Sequence, residues 1–291
     1  MAKKIPKSRA VFWIILSTFL ISGFNFLIFS KVKSYKRNRV VYEKYNIKTI
    51  YQNPKNINLD VDYISELLNL SIDNPTNIFL FDENRALQNL LKNPVILNPS
   101  VKKKKPDCVF VDYDLRAPIA KLFDFDDVLI DENGYIFPNH KVFKNMNLCK
   151  IYLNLDEFQG YKKIDTKEAQ LAIDILQKLK NSGFTDIVKI TLLDTSRAFA
   201  QSYGKREIIM QVDEEISINK NQKEILFVFP KILRLPMNNY LEQISNYVAL
   251  REKIIKDYKN QASLFEATAD IVRFNPKTID LRISKLAFID Q

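Results

Sequence analysis

The side chains that carry most acid–base and metal chemistry are scarce in this chain of 291 residues: one histidine, His140, and two cysteines, Cys108 and Cys149. Zinc sites draw on Cys and His at short spacings, and neither a His-x-x-x-His nor a Cys-x-x-Cys pair occurs. His140 follows Pro138-Asn139 and reads as part of an exposed turn. The five glycines, Gly23, Gly134, Gly160, Gly183 and Gly204, lie at least twenty positions apart. A dinucleotide loop or P-loop needs glycines a few residues apart so that backbone can wrap phosphate, and a nucleophile elbow needs Gly-x-Ser-x-Gly; all three are excluded. Carboxylates remain, 34 of them. Two at the right separation can hydrolyse a glycosidic bond, but sequence spacing does not say which acids meet in the fold. A membrane-anchored envelope hydrolase using a carboxylate pair therefore stands as an alternative reading. The chain offers residues for binding and assigns none to catalysis, cofactor or metal, so a non-enzyme is expected. Two isolated cysteines make no disulfide framework and are expected to remain unbridged.

The formal charge of +10 invites a nucleic-acid reading until its location is considered. Nine of the 44 basic residues (Lys3, Lys4, Lys7, Arg9, Lys31, Lys33, Lys36, Arg37 and Arg39) precede residue 40, and the first acid is Glu43. Residues 40–291 thus hold 35 basic residues against 34 acidic ones. That nearly neutral remainder lacks the cationic footprint that phosphate backbones require.

Between the basic flanks runs an uncharged stretch of 21 residues, Ala10 to Ser30. At the helical rise it reaches about 31 Å, against a hydrocarbon core of roughly 30 Å. It is apolar on every side, as a helix in lipid is. A signal peptide has a shorter apolar region and a small-x-small cleavage site; here the run closes on Ile28-Phe29-Ser30-Lys31. The expectation is an uncleaved, single-pass anchor, with residues 1–9 a cytoplasmic tail, 10–30 the span, 31–45 a juxtamembrane linker and the bulk of the chain on the far side. Asn25, in mid-span, is a candidate helix–helix contact or a tolerated solitary amide.

Beyond it, Ile47–Tyr51 reads as a short strand ended by Asn53-Pro54. Asp60 is placed to cap a helix with Val61, Ile64, Leu67 and Leu68 on one face, and Asp82 to cap a second with Leu87, Leu90 and Leu91. Asn93-Pro94 stops that helix. Strands follow around Pro99–Lys103 and Cys108–Arg116, the second alternating Val109, Val111, Tyr113 and Leu115 with outward residues. The lysine run Lys102–Lys105 is expected at the hairpin tip between them. The order is β-α-α-β-β.

In the remainder, Glu132-Asn133-Gly134 supplies the turn of a hairpin between Val128–Ile130 and Tyr135–Phe137. Glu168–Ser182 reads as a helix stopped by Gly183. Strands are expected at Ile187–Leu193, Glu207–Val212 and Glu224–Phe229. A long amphipathic helix spans Asn239–Lys259, and the last strands are Asp270–Phe274 and Thr278–Ile283, about a turn at Asn275-Pro276-Lys277. The fold class is α+β: one N-terminal membrane helix, a β-α-α-β-β domain over 46–116, then a mixed α/β domain over 117–291 ending in a β-meander.

Several strings resemble the FtsQ/DivIB family of bacterial cell division proteins. Asn77-Ile78-Phe79-Leu80-Phe81-Asp82, Leu91-Lys92-Asn93-Pro94-Val95 and Val101 to Asp107 resemble its POTRA domain. Leu115-Arg116-Ala117-Pro118-Ile119-Ala120 is similar to the family's junction between POTRA and β domains, which makes Arg116, Pro118 and Ala120 junction residues. Val128 to Phe137 is similar to its Asp-x-x-Gly hairpin, in which Asp131 and Gly134 are structural turn residues. Leu153 to Gly160 resembles a further segment, with Asn154 for a proline, and Ile279-Asp280-Leu281-Arg282 resembles the terminal Val-Asp-Leu-Arg strand.

The resemblance implies a bitopic divisome scaffold at the cytoplasmic (inner) membrane of the division site. Its partners would be single-span proteins of the FtsB and FtsL type, and through them the septal peptidoglycan synthase FtsW with FtsI. Arg282, Ile283, Lys285, Leu286 and Phe288 are then expected to form the docking edge, Arg282 meeting a partner acid and Ile283 and Phe288 serving as apolar anchors. The chain departs from the pattern at Gln211 to Glu215, where a glycine turn is usual. It departs again at Ser284-Lys285, where another glycine turn is replaced and strand alternation slips. An envelope export or assembly adaptor with a POTRA-like module is a further reading.

Overall fold

The computed structural model describes residues 7–55, 57–220, 223–265 and 269–289. Most of the expected tail, residues 1–6, lies outside these. The first element, α1 (Lys7–Val41), has 35 residues. Its Val11–Val41 stretch is long and apolar enough to cross a membrane, and its most apolar part is not buried against the rest of the chain. The helix continues past Ser30 through the basic residues, because Lys and Arg are good helix formers and neither Gly nor Pro intervenes. The chain divides into two compact units, the first including α1 and ending at Leu115, the second beginning at Arg116.

The first unit contains β1 (Thr49–Pro54), α2 (Val61–Leu67), α3 (Glu83–Lys92), β2 (Ile96–Lys104) and β3 (Cys108–Leu115). Strand β3 is central, parallel to β1 and antiparallel to β2. Its inward residues Val109, Val111 and Tyr113 are buried, as are Ile64, Leu68, Ala86 and Leu90 of the helical layer. The Asp82 carboxylate accepts from the backbone of Asn84 and Arg85 at 3.0 and 3.1 Å. Asp60 sits at the head of α2 but makes no such bond, and Val61 and Leu91 face solvent. Strand β2 starts at Ile96 rather than Pro99, because a bulge with Asn98 at φ 48° absorbs the proline. Bulges are where a strand tolerates Pro. Lys102, Lys103 and Lys104 are strand residues opposite Phe110, Val109 and Cys108, so only Lys105 of the run reaches the turn.

The second unit contains β4 (Pro118–Leu122), β5 (Val128–Asp131), β6 (Ile136–Pro138), β7 (Lys150–Tyr152), α4 (Lys167–Asn181), α5 (Phe184–Ile187), β8 (Lys189–Asp194), β9 (Ile208–Lys220), β10 (Lys223–Leu235), α6 (Tyr240–Leu264), β11 (Ile271–Arg273), β12 (Lys277–Asp280) and β13 (Phe288–Ile289). Ten strands form one mixed sheet in the order β13-β12-β10-β9-β8-β7-β4-β5-β6, with β11 also on β10. Helices α4 and α6 cover it, burying Ala172, Ile175, Leu179, Ile244 and Tyr247 in one core with Ile151, Leu193, Met210 and Leu233. A smaller cluster lies farther along the long hairpin, where the Phe229 ring stacks on Tyr258 at 4.1 Å and on Phe274 at 4.5 Å.

Strands β9 and β10 are 13 residues each, about twice their expected length. The acids 213–215 and Pro230-Lys231 look like breaks in sequence, yet they are strand interior. Pro230 faces the side of β10 on which Leu226 N and the Val228 and Arg234 carbonyls bond to 270–281. It falls in the gap between the β11 and β12 pairings, where no strand asks for its missing N–H. Both β11 and β12 run parallel to β10, so Asn275-Pro276 is a jog, and the reversal comes later, at Ile283–Leu286 before β13. Strand β8 begins at Lys189 because Phe184–Ile187 forms a short helix after Gly183 (φ 73°).

Candidate docking edge and its supports

A group of exposed apolar residues in the second unit sits at one border of the sheet. Strand β13 pairs with β12 through only two residue pairs, Ile279 with Ile289 and Asp280 with Phe288. Its outer side has no strand neighbour among the described residues, which leaves backbone donors and acceptors open. Ile279 and Leu281 are core residues at 1% exposure, whereas Ile283, Leu286 and Phe288 are 54–56% exposed. Ile289 is exposed beside them. A surface of this kind on a soluble domain marks a contact site more often than idle surface.

The segment is held in place by a cluster of ions. Arg282 donates from Nε and Nη2 to the Asp280 carboxylate at 2.7–3.1 Å and lies 3.4 Å from Glu207 Oε2. Glu207, 5% exposed, also accepts from Arg234 Nε and Nη2 at 2.9 and 2.6 Å and lies 3.7 Å from Arg197. Burial works to raise the Asp280 carboxyl, but the hydrogen bonds from Arg282 and the nearby Arg234 charge bring it below the usual carboxylate range. Arg282, expected to meet an acid on a partner, is thus engaged by acids of its own chain. It pins the backbone just before the apolar residues.

Next to it the chain turns, with Leu286 N donating to Ile283 O at 3.2 Å. Lys285 occupies the left-handed region at φ 63°, the position a glycine serves in such a turn. The slip in strand alternation at Ser284 is this turn. Ile283 and Phe288 also border a shallow groove of about 470 Å³ closed by Tyr203, Arg206 and Met237. An extended segment laid along β13 would have main-chain partners on one side and, on the other, a trough in which Tyr203, Met237, Ile283 and Phe288 stand beside Arg206, Asp280 and Arg282.

The residues at the start of the second unit form a separate arrangement. Arg116 Nη1 lies 2.7 Å from Asp131 Oδ2, and its guanidinium is 4.4 Å from the centre of the Tyr135 ring. The other Asp131 oxygen accepts from Asn133 N and Tyr135 N, both at 2.9 Å. Pro118 opens β4 opposite Asp131, and Ala120 is fully buried opposite Ile130. Gly134 has φ 83°, and a Cβ there would come 3.0 Å from the Ile164 carbonyl. Ile164 N donates to Gly134 O at 2.9 Å, so the turn also anchors the chain entering α4.

Sequence reasoning missed a buried ionic group under α6. Lys231 has no exposed surface, and its Nζ lies 3.3 Å from Glu214 Oε1 and 2.9 Å from Tyr247 Oη. Glu214 also accepts from Tyr247 Oη at 2.7 Å and from Arg251 Nε and Nη2 at 2.8 and 2.9 Å. Burial brings the Lys231 amine down to about 8, against the pull of Glu214. An amine of that kind can serve as a catalytic base, but this one is enclosed by Glu214 and the Tyr247 and Tyr258 rings, with centroids at 5.1 and 5.0 Å. It lines neither large groove of the unit. Its geometry serves attachment of α6 to the sheet. The signal available in sequence was Lys231 and Glu214 standing inside otherwise β-forming runs. Both cysteines are free thiols, and burial pushes Cys149 up to about 12.

No family model matches the chain. It is 30% identical over 95 residues to Cell division protein DivIB of Clostridium tetani (strain Massachusetts / E88), a match covering 32% of this chain and 33% of that protein. The similarity therefore spans about a third of either sequence.

Proposed function

We propose that the chain is a membrane-anchored, non-enzymatic cell division scaffold of the FtsQ/DivIB kind. In this reading α1 is the single span, the β-α-α-β-β unit is a POTRA-type module, and the second unit presents the docking edge to single-span partners of the FtsB and FtsL type. Through them it recruits or regulates the septal synthase FtsW with FtsI at the inner membrane of the division site, with the N-terminus cytoplasmic. The observation that carries the reading is the cluster of exposed Ile283 and Leu286, in the turn before β13, with Phe288 on that two-residue edge strand. The local similarity to a DivIB protein supports it. Lys285 sets the turn between the anchors, and Arg282 holds the segment to Asp280 and Glu207.

Tethering strengthens the proposal physically. Two proteins confined to one membrane meet at a raised effective concentration, so a short edge strand and a few apolar anchors suffice. The test is a pull-down of FtsB-type protein by the full chain carrying Ile283→Lys or Leu286→Lys, with the unfolding midpoint measured in parallel. Both side chains are exposed, so the fold is expected to persist while capture falls at least tenfold. Undiminished capture by a folded variant would falsify the assignment of the edge. A tagged chain spread evenly round the cell, with no enrichment at septa, would refute the division role itself.

A further inference from the structure

The lysine run in β2 has no part in the docking edge, and its surroundings give it a role of its own. The exit of α1 is stitched to the first unit. Asn77, 4% exposed, donates from Nδ2 to the Arg39 and Val40 carbonyls at 3.1 and 3.0 Å. Ile47 N donates to Thr76 O and Ile78 N to Tyr45 O, at 2.9 and 2.8 Å. The helix end and the unit are therefore one piece.

Phe79 then brings two cations together. Its ring centre lies 5.6 Å from the Arg39 guanidinium and 5.4 Å from Lys105 Nζ, which places those charges within about 11 Å of each other. Tyr45 packs edge-on against the same ring at 5.1 Å and carries Lys44 Nζ at 4.9 Å from its own centre. Aromatic rings with cations at the end of a span are what a membrane interface selects.

The distances fit a bilayer surface. Arg39 is nine residues beyond Ser30, about 13 Å along a helix axis. Headgroups extend about 5–8 Å beyond the hydrocarbon on each side, and the screening length adds about 8–10 Å. Arg39 thus stands inside the reach of headgroup charge, and Lys105 lies within about 11 Å of it. Lys102, Lys104 and Lys105 are exposed and make no ion pair among the described residues. Against the six bases Arg39, Lys44 and Lys102 to Lys105 stand the acids Glu43, Asp107 and Glu83, the last accepting through Oε1 from Lys103 N at 2.6 Å.

We propose that Lys102, Lys104 and Lys105 bind the anionic headgroups of the bilayer that α1 crosses, laying the β2–β3 hairpin on the membrane surface and fixing the orientation of the first unit. An acidic protein could meet the same charges, but α1 holds this surface at lipid whether or not a protein partner is present. The inference rests on α1 crossing the bilayer and is independent of the docking edge.

The test reconstitutes the full chain in nanodiscs of phosphatidylcholine, alone or with phosphatidylglycerol added. A neutral acetylating reagent then reports the reactivity of each lysine by mass spectrometry. Lys102, Lys104 and Lys105 are expected to react at least threefold more slowly in the anionic discs, with the difference lost in high salt. Lys92, exposed at the end of α3, serves as the internal reference. Equal rates in both lipids overturn the proposal. So does protection that appears only when a second division protein is added. Failure of either kind leaves the pull-down with Ile283→Lys unaffected, so the two readings fail separately.

Discussion

Lys231 and Glu214 form an ion pair 3.3 Å long with 0% and 2% of their side chains exposed. The two partners are not equivalent. Glu214 keeps Arg251 and Tyr247 if the lysine is removed, whereas Lys231 and Arg251 both lose their carboxylate if the glutamate is removed. Breaking a buried pair costs about 3–5 kcal/mol when a charge is left unpaired. Glu214→Gln is therefore expected to destabilise by about that much, and Lys231→Met by distinctly less. Denaturant unfolding of the two variants, followed by far-ultraviolet circular dichroism, gives the ranking. A larger loss for Lys231→Met would mean that the amine and not the carboxylate organises the cluster.

The same pair sets a pH dependence. The Lys231 amine is depressed from 10.5 to about 8 in the folded chain. Below pH 8 it is protonated in both states. Between about 8 and 10.5 the unfolded chain holds a proton that the folded chain has released, so stability rises with pH across that window. The gain is at most about 1.4 kcal/mol per unit. Tyr247 and Tyr258 act the other way. Burial, with the Glu214 charge behind it, holds their hydroxyls above the usual 10.0, so they contribute stability that is lost once unfolded tyrosines ionise. The unfolding midpoint is expected to climb from pH 7.5 to 9.5 and fall beyond 10.5. In Lys231→Met the climb should flatten while the fall remains.

The Asp131 turn couples three things: its own hairpin, the Arg116 side chain and the segment entering α4. Asp131→Asn keeps the shape but gives up the charge that faces Arg116, for an expected loss of about 1–3 kcal/mol. Gly134→Ala adds a methyl group 3.0 Å from the Ile164 carbonyl at a φ of 83°. Its cost is expected at about 1–3 kcal/mol, from the backbone conformation and the shift forced on Ile164 together. Neither change touches the apolar residues of the proposed docking edge. Variants that fold should capture FtsB-type protein as the parent does; weakened capture in a folded variant would tie this turn to docking.

Elements read from periodicity and punctuation were legible. Helix α3 was visible because Asp82 and Asn93-Pro94 bracket its apolar face, and α4 because Gly183 closes it. Strand β3 was visible because inward and outward residues alternate cleanly. The long hairpin was not, because Asp213, Glu214 and Lys231 read as surface residues until their partners Arg273, Arg251 and Tyr247, 16–60 positions away, are in place. Tertiary ion pairing is invisible to a local pattern. At the proposed docking edge the apolar residues could be named from sequence, but the engagement of Arg282 by Glu207, 75 positions away, could not.

Asn77 makes the most concentrated demand on one side chain in the first unit. Its amide nitrogen serves the carbonyls of Arg39 and Val40 at the end of α1, and its oxygen accepts from Phe79 N at 3.0 Å. The last carbonyls of a helix have no partners within it, and each polar group left buried and unpaired costs about 1–3 kcal/mol. Asn77→Ala is expected to lower the stability of the first unit by about 2–4 kcal/mol on this ground. Asn77→Asp keeps the acceptor for Phe79 but turns a carboxylate toward two carbonyl oxygens at the negative end of the helix dipole, which repels it. Despite its closer shape, Asp should therefore be the more damaging replacement at neutral pH, and lowering the pH enough to protonate it should recover part of the loss. Hydrogen exchange in the full chain reads this directly at the amides of Ile47 and Ile78, which bond across the same junction. If exchange there is unchanged in Asn77→Ala, the splint between helix and unit lies elsewhere.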